Sequence, residues 1–547
     1  MVRGCNFTDL KSVGDRFSWA GKRGDHHVTC SLDRTMANNE WHTLFPESET
    51  VFMEYGESDH RPLVTNISAQ KEERRGFFSY DSRLTHKEGF KQVVLNQWHR
   101  RNGSFEGDSS LNRKLVECRQ AISRWKKNNR VNAEERIKII RHKLDRAIAT
   151  GTATPRERRQ MRQDLNQAYA DEEIYWQTKS RSRWLNAGDR NTRYFHSTTK
   201  TRRCRNRLLS VQDSDGDICR GDENIAKVAI NYFDDLYKST PNTSLRYADV
   251  FQGFQQKITD EINEDLIRPV TELEIEESVF SVAPSRTPDP DGFTADFYQQ
   301  FWPDIKQKVI DEVTRFFERS ELDERHNHTN LCLIPKVETP TTIAKFRPIA
   351  LCNVSYKIIS KILVNRLKKH LGGAITENQA AFVPGRLITN NAIIAHEVYY
   401  ALKARKRQAN SYMALKTDIT KAYDRLEWDF LEETMRQMGF NTKWIERIMI
   451  CVTMVRFSVL INGSPHGTIK PERGIRHGDP LSPYLFILCA EVLSHMIKQA
   501  EINKKLKGIR LSTQGPFISH LLFADDSIFF TLANQRSCTA IKEVLSS

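Results

Sequence analysis

The chain has 547 residues, 39% hydrophobic and 28% charged, enough for more than one domain at about 150 residues each. Its formal charge of +14 points to a polyanionic partner, either nucleic acid or an acidic membrane. No apolar run reaches the roughly 18 residues of a membrane-spanning helix, and the basic segments lack a clean apolar face, so no membrane association is expected.

The N-terminus shows no signal-peptide core or targeting signal, so an intracellular site, nucleus or cytoplasm, is expected. Cys204 and Cys219 are the nearest pair of cysteines, at fifteen residues. That spacing offers neither CxxC metal knuckles nor a disulfide framework, and reduced thiols are expected.

Residues 1–68 mix short strand-like runs with turns. Residues 69–245 are polar, basic and mainly helical in pattern. In "RIKIIRHKLDRAIA", Ile137, Ile140, Leu144 and Ile148 recur about one turn apart. Between Lys179 and Arg207 stand ten Lys or Arg against one acid, with Trp184, Tyr194 and Phe195 interleaved. Cations that neutralise phosphates and rings that stack on bases make Lys179, Arg181, Arg183, Trp184, Arg190, Arg202, Arg203 and Arg205 candidate nucleic-acid contacts. A solvated basic helix with core aromatics is the competing reading.

Residues 250–547 alternate short strands with packed helices, which predicts an α+β fold. "RFSVLINGSPHG" reads as a hairpin turning at Asn462-Gly463. "RLEWDFLEETMRQMGF" follows the helical period through Trp428, Leu431, Met435 and Met438, with Gly439 as its stop. "LSPYLFILCAEVLSHMIKQA" predicts a buried helix capped by Ser482, with Pro483 in its first turn.

Two acids then stand inside an apolar run. "LLFADDSIFF" places Asp525 and Asp526 where a hairpin would bend, and a strand-like run from Met413 to Thr417 ends at Asp418. Burying unpaired carboxylates costs several kcal/mol. Brought together, the three would form a hard-oxygen site for two Mg²⁺ ions, or Mn²⁺ in their place, able to activate a hydroxyl and stabilise a leaving pyrophosphate. An Asp-Asp pair in a turn is, taken alone, usually exposed and inert.

Order and company change that weighting. "FADD" resembles the Y/F-x-D-D motif of reverse transcriptases, "KTDITKAYDRLEW" their first palm motif and "GIRHGDPLSPYLF" their glycine-turn motif. "LCLIPKVETPTTIAKFRPIALCNVSYKIISKILVNRL" and "ENQAAFVPGRLITNNAI" resemble finger motifs of non-LTR, LINE-type retrotransposon enzymes, plant ones in particular. "KSRSRWLNAGDRNTRYFH" is similar to the linker of those plant elements. The likeness covers nearly the whole chain, and five ordered motifs are far more specific than any one alone.

The resemblance implies right-hand polymerase fingers and palm, using an RNA template, a DNA primer or target DNA, and deoxynucleoside triphosphates. Asp418 and Asp525 match its principal metal ligands and Asp526 the adjacent one. Tyr423 matches the steric gate beneath the sugar. Lys336 and Arg347 match finger cations that hold the triphosphate, with Arg386 a weaker match for template or nucleotide contact. Gly478 and Pro480 match a turn close to the incoming nucleotide. His477 stands where the family usually has Gln, and Asp289 where it usually has Gly.

The family's thumb is expected beyond residue 547, and without it extension is expected to be feeble. At the front, "FSW" with Trp19, "LDR" with Asp33 and "SDH" with Asp59 and His60 resemble the C-terminal end of an apurinic-type endonuclease. There His60 would act at the scissile phosphate, Asp33 would orient it and Asp59 would lie at the metal. The family's earlier metal ligands are expected before residue 1, so no endonuclease activity is expected of this chain. Two further readings stand beside the polymerase: an inactive remnant that only binds nucleic acid, and an RNA-dependent RNA polymerase, against which the aromatic Tyr423 argues.

Overall fold

The computed structural model describes the chain except residues 1–6, 15, 25, 54–57, 68–76, 101–109, 130–132, 151–152, 181–191, 240–246, 285–288, 405–411, 513 and 547. Short strands and one helix, Asn39–Leu44, occupy the first 66 residues, with His26–Cys30 pairing antiparallel to Trp19–Arg23. Long helices follow, Leu111–Asn128, Ala133–Thr150, Pro155–Ser180 and Thr192–Asn206. The remainder is α+β. No described helix is long and apolar enough to cross a membrane, and no disulfide joins the described cysteines.

The core does not divide at the boundary expected near residue 245. One cluster runs from Tyr80, Leu84, Phe90 and Ile122 through Phe233 and Phe297 to Leu485 and Cys489. The helices Phe90–His99 and Leu111–Asn128 bury Val94, Trp98, Leu115 and Cys118 in it, because their apolar residues recur on one stripe.

Two larger sheets carry the C-terminal region, beside the short pair Ile509–Arg510 and Phe517–Ile518. In the four-stranded sheet the order is Phe346–Cys352, His328–Pro335, Arg456–Ile461, Ser464–Ile469, and only the middle pair is parallel. Its hairpin turns at Asn462 and Gly463, with φ of +50° and +93°. Positive φ at both loop residues is the type I′ pattern that follows strand twist.

The three-stranded sheet has the order Tyr412–Asp418, Asp526–Leu532, His520–Phe523, all antiparallel. Alternate residues face opposite sides. Ala414, Leu521, Ile528 and Phe530 pack with Ala395 and Val398 of the helix Ile388–Ala404. Met413 and Phe529 pack with Ile497 and Ala500 of Ser482–Ile502 and with Ala540 and Ile541 of Gln535–Ser546. The helix Trp428–Met438 ends at Gly439 as the sequence predicts, whereas Ser482 is the first helical residue and not the cap: Leu481 holds the N-cap position without a side-chain cap bond, and the Asp479 carboxylate accepts from the Leu481 amide at 3.0 Å.

Beneath the turn at 476–480 lies a buried ionic network. The Arg476 guanidinium meets Asp479 at 3.1 Å, lies 3.9 Å from the centre of the Tyr356 ring, and donates to Asn327 Oδ1 at 2.5 Å and Cys451 O at 2.9 Å. Tyr356 donates to Asp479 Oδ2 at 2.6 Å. Removing the cation strands a buried carboxylate, so Arg476→Met is expected to cost about 3–5 kcal/mol, measured by urea unfolding. Arg476→Lys should recover little, since a point charge cannot reproduce the planar fork.

Candidate active site

The register of the three-stranded sheet brings the acids together. Seven residue pairs link Tyr412–Asp418 to Asp526–Leu532, and the last sets Asp418 opposite Asp526. The Ile419 amide donates to Asp525 O at 3.3 Å. Asp525 is the second residue of a two-residue loop closed by the Phe523–Asp526 pair. Its first residue, Ala524, has φ +60°, as a II′-type turn requires.

Asp418 and Asp525 are exposed and Asp526 is half-buried. Like charges placed directly opposite in a sheet destabilise it. Lys416 offsets part of that cost, with its Nζ 3.1 Å from Asp526 Oδ1. Carboxylate oxygens at an open sheet end suit a hard divalent cation in donor chemistry.

The expected three-acid cluster is looser than the sequence suggests. Among the described residues no group of three or more His, Cys, Asp or Glu stands close enough to hold a metal ion. Asp418 and Asp526 share one face of the sheet, while Asp525 lies in the loop near Tyr423. Burial, and then the charge of Asp525, push the Tyr423 hydroxyl up to about 12.

A chain of neighbours leads from Asp525 through Tyr423 and His477 to two cations. Lys336 and Arg347 lie at one end of the hairpin His328–Pro335 and Phe346–Cys352, where Ile334 pairs with Arg347 and the Lys336 amide donates to Lys345 O at 2.9 Å. Both side chains are exposed, at diagonal positions of one face. Their charges reach His477. Burial first, then Arg347 and Lys336, hold that imidazole at about 4, so it is neutral at pH 7.

The His477 ring stacks on Tyr423, centres 4.6 Å apart at 24°, and Tyr423 also stacks on Phe486 at 5.2 Å and 12°. Gly478 has φ +109°, and a Cβ there would come 3.0 Å from Ala350 O, so only glycine fits.

Arg386 takes a different place from the one the resemblance implies. Its Nη1 donates to Thr376 O and Gln379 O at 2.6 and 2.9 Å, and its Nη2 to Gly372 O and Ile375 O at 3.2 and 2.7 Å. Those donors close the loop after the short helix Leu371–Ala374 and are not offered to template or nucleotide. Asp289 is accommodated by Lys357, 2.6 Å away, and its φ is not positive. Burial nonetheless pushes the Asp289 carboxyl up to about 7, against the pull of Lys357.

In the basic segment Arg181, Arg183, Trp184 and Arg190 lie outside the described residues. Phe195 is fully buried, which follows the core reading for that ring, while Tyr194 is exposed. Lys179 lies 5.7 Å from the centre of the Tyr175 ring, and Arg202 donates to Ser180 O at 2.6 Å. Arg202 and Arg203 line a cavity of about 570 Å³ with Lys200, Arg207 and Leu333, while Arg205 is exposed.

At the N-terminus, His60 Nδ1 lies 2.7 Å from Asp33 Oδ2, and Trp19 Nε1 donates to Asp59 Oδ2 at 2.7 Å. The hydrogen bond to Asp33 raises the His60 pKa above its ordinary value.

Sequence reasoning missed the residues that hold the acid-bearing loop. Gln379 is buried, and its Oε1 accepts from the Ala381 amide at 3.0 Å and the Ala524 amide at 3.2 Å. Asn391 donates to Leu522 O at 3.1 Å and Asn378 to His520 O at 2.8 Å. "ENQAAFVPGRLITNNAI" signals these residues only by its scattered amides, which carry no long-range pairing information. Phe382, Lys421 and Ala524 also adopt positive φ here, at 61°, 55° and 60°. Backbone outliers of that kind collect at functional sites.

A family model described as reverse transcriptase (RNA-dependent DNA polymerase) matches residues 334–547. An uncharacterized 149 kDa protein of transposon TX1 from Xenopus laevis is 26% identical over 350 residues, 64% of this chain and 26% of that protein. An uncharacterized mitochondrial protein of Arabidopsis thaliana is 59% identical over 68 residues, 12% of this chain and 56% of that protein. The retrovirus-related Pol polyprotein of a type-1 R2 retrotransposable element from Nasonia vitripennis is 24% identical over 264 residues, 48% of this chain and 24% of that protein. The chain therefore spans between about a quarter and just over half of the length of these curated relatives.

Gln379→Ala leaves the Ala381 and Ala524 amides without their acceptor. The expected cost is about 1–3 kcal/mol, read as faster amide hydrogen exchange at Ala524 and Asp525 than at Val459 in the other sheet.

Proposed function

We propose that this chain, matched over residues 334–547 by the reverse transcriptase family, is an RNA-directed DNA polymerase of the non-LTR, LINE type. The observation that carries the reading is the pairing of Asp418 with Asp526 at a sheet end, next to Asp525, with Tyr423 and His477 leading to Lys336 and Arg347. Acids for cations, bases for a triphosphate and an aromatic ring between them are the parts a nucleotidyl transferase needs.

In this reading a primer 3′-hydroxyl attacks the α-phosphate of a deoxynucleoside triphosphate and pyrophosphate leaves. Asp418, Asp525 and Asp526 would hold two Mg²⁺ ions, which when bound neutralise phosphate charge and lower the pKa of the attacking hydroxyl. Arg347 grips phosphate oxygens with its planar fork and Lys336 adds a mobile point charge. Tyr423 underlies the sugar, and Gly478 lets the backbone approach the nucleotide. Positioning and charge supply most of the rate. The four-stranded sheet belongs to the fingers and the three-stranded sheet to the palm.

The His60–Asp33 pair supports reading residues 1–68 as the C-terminal part of an apurinic-type endonuclease fold, and residues 69–245 as a linker that contacts nucleic acid. The 59% identity to the Arabidopsis segment supports a plant-type element. A remnant that binds nucleic acid without catalysis is the second reading, favoured by the open arrangement of the acids and the tie of Asp526 to Lys416.

Primer extension on homopolymer RNA with Mg²⁺ separates the two. Product that disappears in Asp525→Asn is expected; RNA binding without extension in the unaltered chain would favour the remnant. Double charge reversal, Arg203→Glu with Arg205→Glu, should reduce the slope of log affinity against log salt by about 2.

A further inference from the structure

We infer that His477 is a specificity-determining residue, whose ring stacks on Tyr423 and holds it rigid beneath the sugar of the incoming nucleotide, an assignment that rests on the polymerase reading above. A steric gate discriminates only as far as it refuses to move. A 2′-hydroxyl adds one heavy atom, and a ring free to swing by about an ångström would relieve the clash. Tyr423 is denied that freedom by two near-parallel neighbours, His477 at 4.6 Å and Phe486 at 5.2 Å.

The main chain that carries the His477 ring is itself fixed from below. Its carbonyl accepts from the Ala350 amide at 2.7 Å, tying it to the strand that bears Arg347. Gly478 follows it against Ala350 O, where no side chain fits. Arg476, the preceding residue, is locked in the buried network with Asp479. Three successive residues are thus anchored, and the imidazole inherits their precision.

Charge is not what the ring contributes. Burial, and then the charges of Arg347 and Lys336, keep it neutral. Its nearest acid, Asp424, lies 3.7 Å from Nε2, too far for a hydrogen bond, and Asp424 is approached instead by the Tyr237 hydroxyl at 3.4 Å. The flat face therefore remains as its contribution. A glutamine amide has an extra rotatable bond and a smaller face, so it holds a neighbouring phenol less firmly.

The test is the preference for deoxynucleotides, measured as the ratio of kcat/KM for dGTP to that for GTP on a homopolymer template. His477→Gln is expected to lower that ratio about threefold to tenfold, the range of one aromatic stack. His477→Phe, which restores a ring, is expected to keep it within about twofold. An unchanged ratio in His477→Gln, or an equal fall in both variants, would overturn the assignment.

Equilibrium titration of the same proteins with dGTP and GTP reads the gate without turnover, and the same pattern is expected in the two affinities. If the unaltered chain extends no primer, the polymerase reading fails while the affinity ratios still decide whether His477 sets the sugar preference.

Discussion

The antiparallel register between Tyr412–Asp418 and Asp526–Leu532 is the constraint on which the site depends. A shift of one residue would send every side chain of a strand to the opposite face. Ile528 and Phe530 would leave the helix Ile388–Ala404, Phe529 would leave Ile497 and Ala540, and Asp418 would lose its opposite number. Burial on both faces thus specifies where the acids stand. The apolar residues that made the acidic pair look misplaced in the sequence are the reason it is placed so closely.

A second layer of polar contacts converts that rough placement into a defined surface. Gln379, Asn378 and Asn391 hold the loop and strand around Ala524 and Leu522. On the His477 side, Arg476, Asp479 and Tyr356 fix the turn that presents that ring. Amides suffice on the acid side, where further carboxylates would add repulsion. An ion pair serves on the other side, where Asn327 and the Cys451 carbonyl take the guanidinium's remaining donors. Each side uses the chemistry its own charge permits.

What could be read from the sequence follows from range. The Asn462-Gly463 turn, the stop at Gly439 and the strand ending at Asp418 are written in local residue types, and the structure forms them. Motif order brought Tyr423, His477, Lys336 and Arg347 into one hypothesis, and the fold brings them near one another. Arg386 resists local reading because an arginine beside a glycine turn looks alike whether it faces solvent or four carbonyls. Gln379 was missed because the bond that matters, from the Ala524 amide, comes from a hairpin 145 residues away. The apolar stripe that joins Phe90–His99 and Leu111–Asn128 to the main core was hard to read for a related reason, masked by the polar surface of those helices.

The contact between residues 378–381 and His520–Phe523 also bears on solubility. Gln379 forms a parallel bridge with Leu522, the Leu522 amide donates to Asn378 O at 2.8 Å, and Asn391 takes the Leu522 carbonyl. His520–Phe523 is an outer strand of its sheet, and such strands invite pairing with other chains through their unused backbone groups. Here the loop occupies those groups. The segment that steadies the acid-bearing turn therefore also caps an edge of the sheet, shielding an apolar strand against strand-to-strand aggregation.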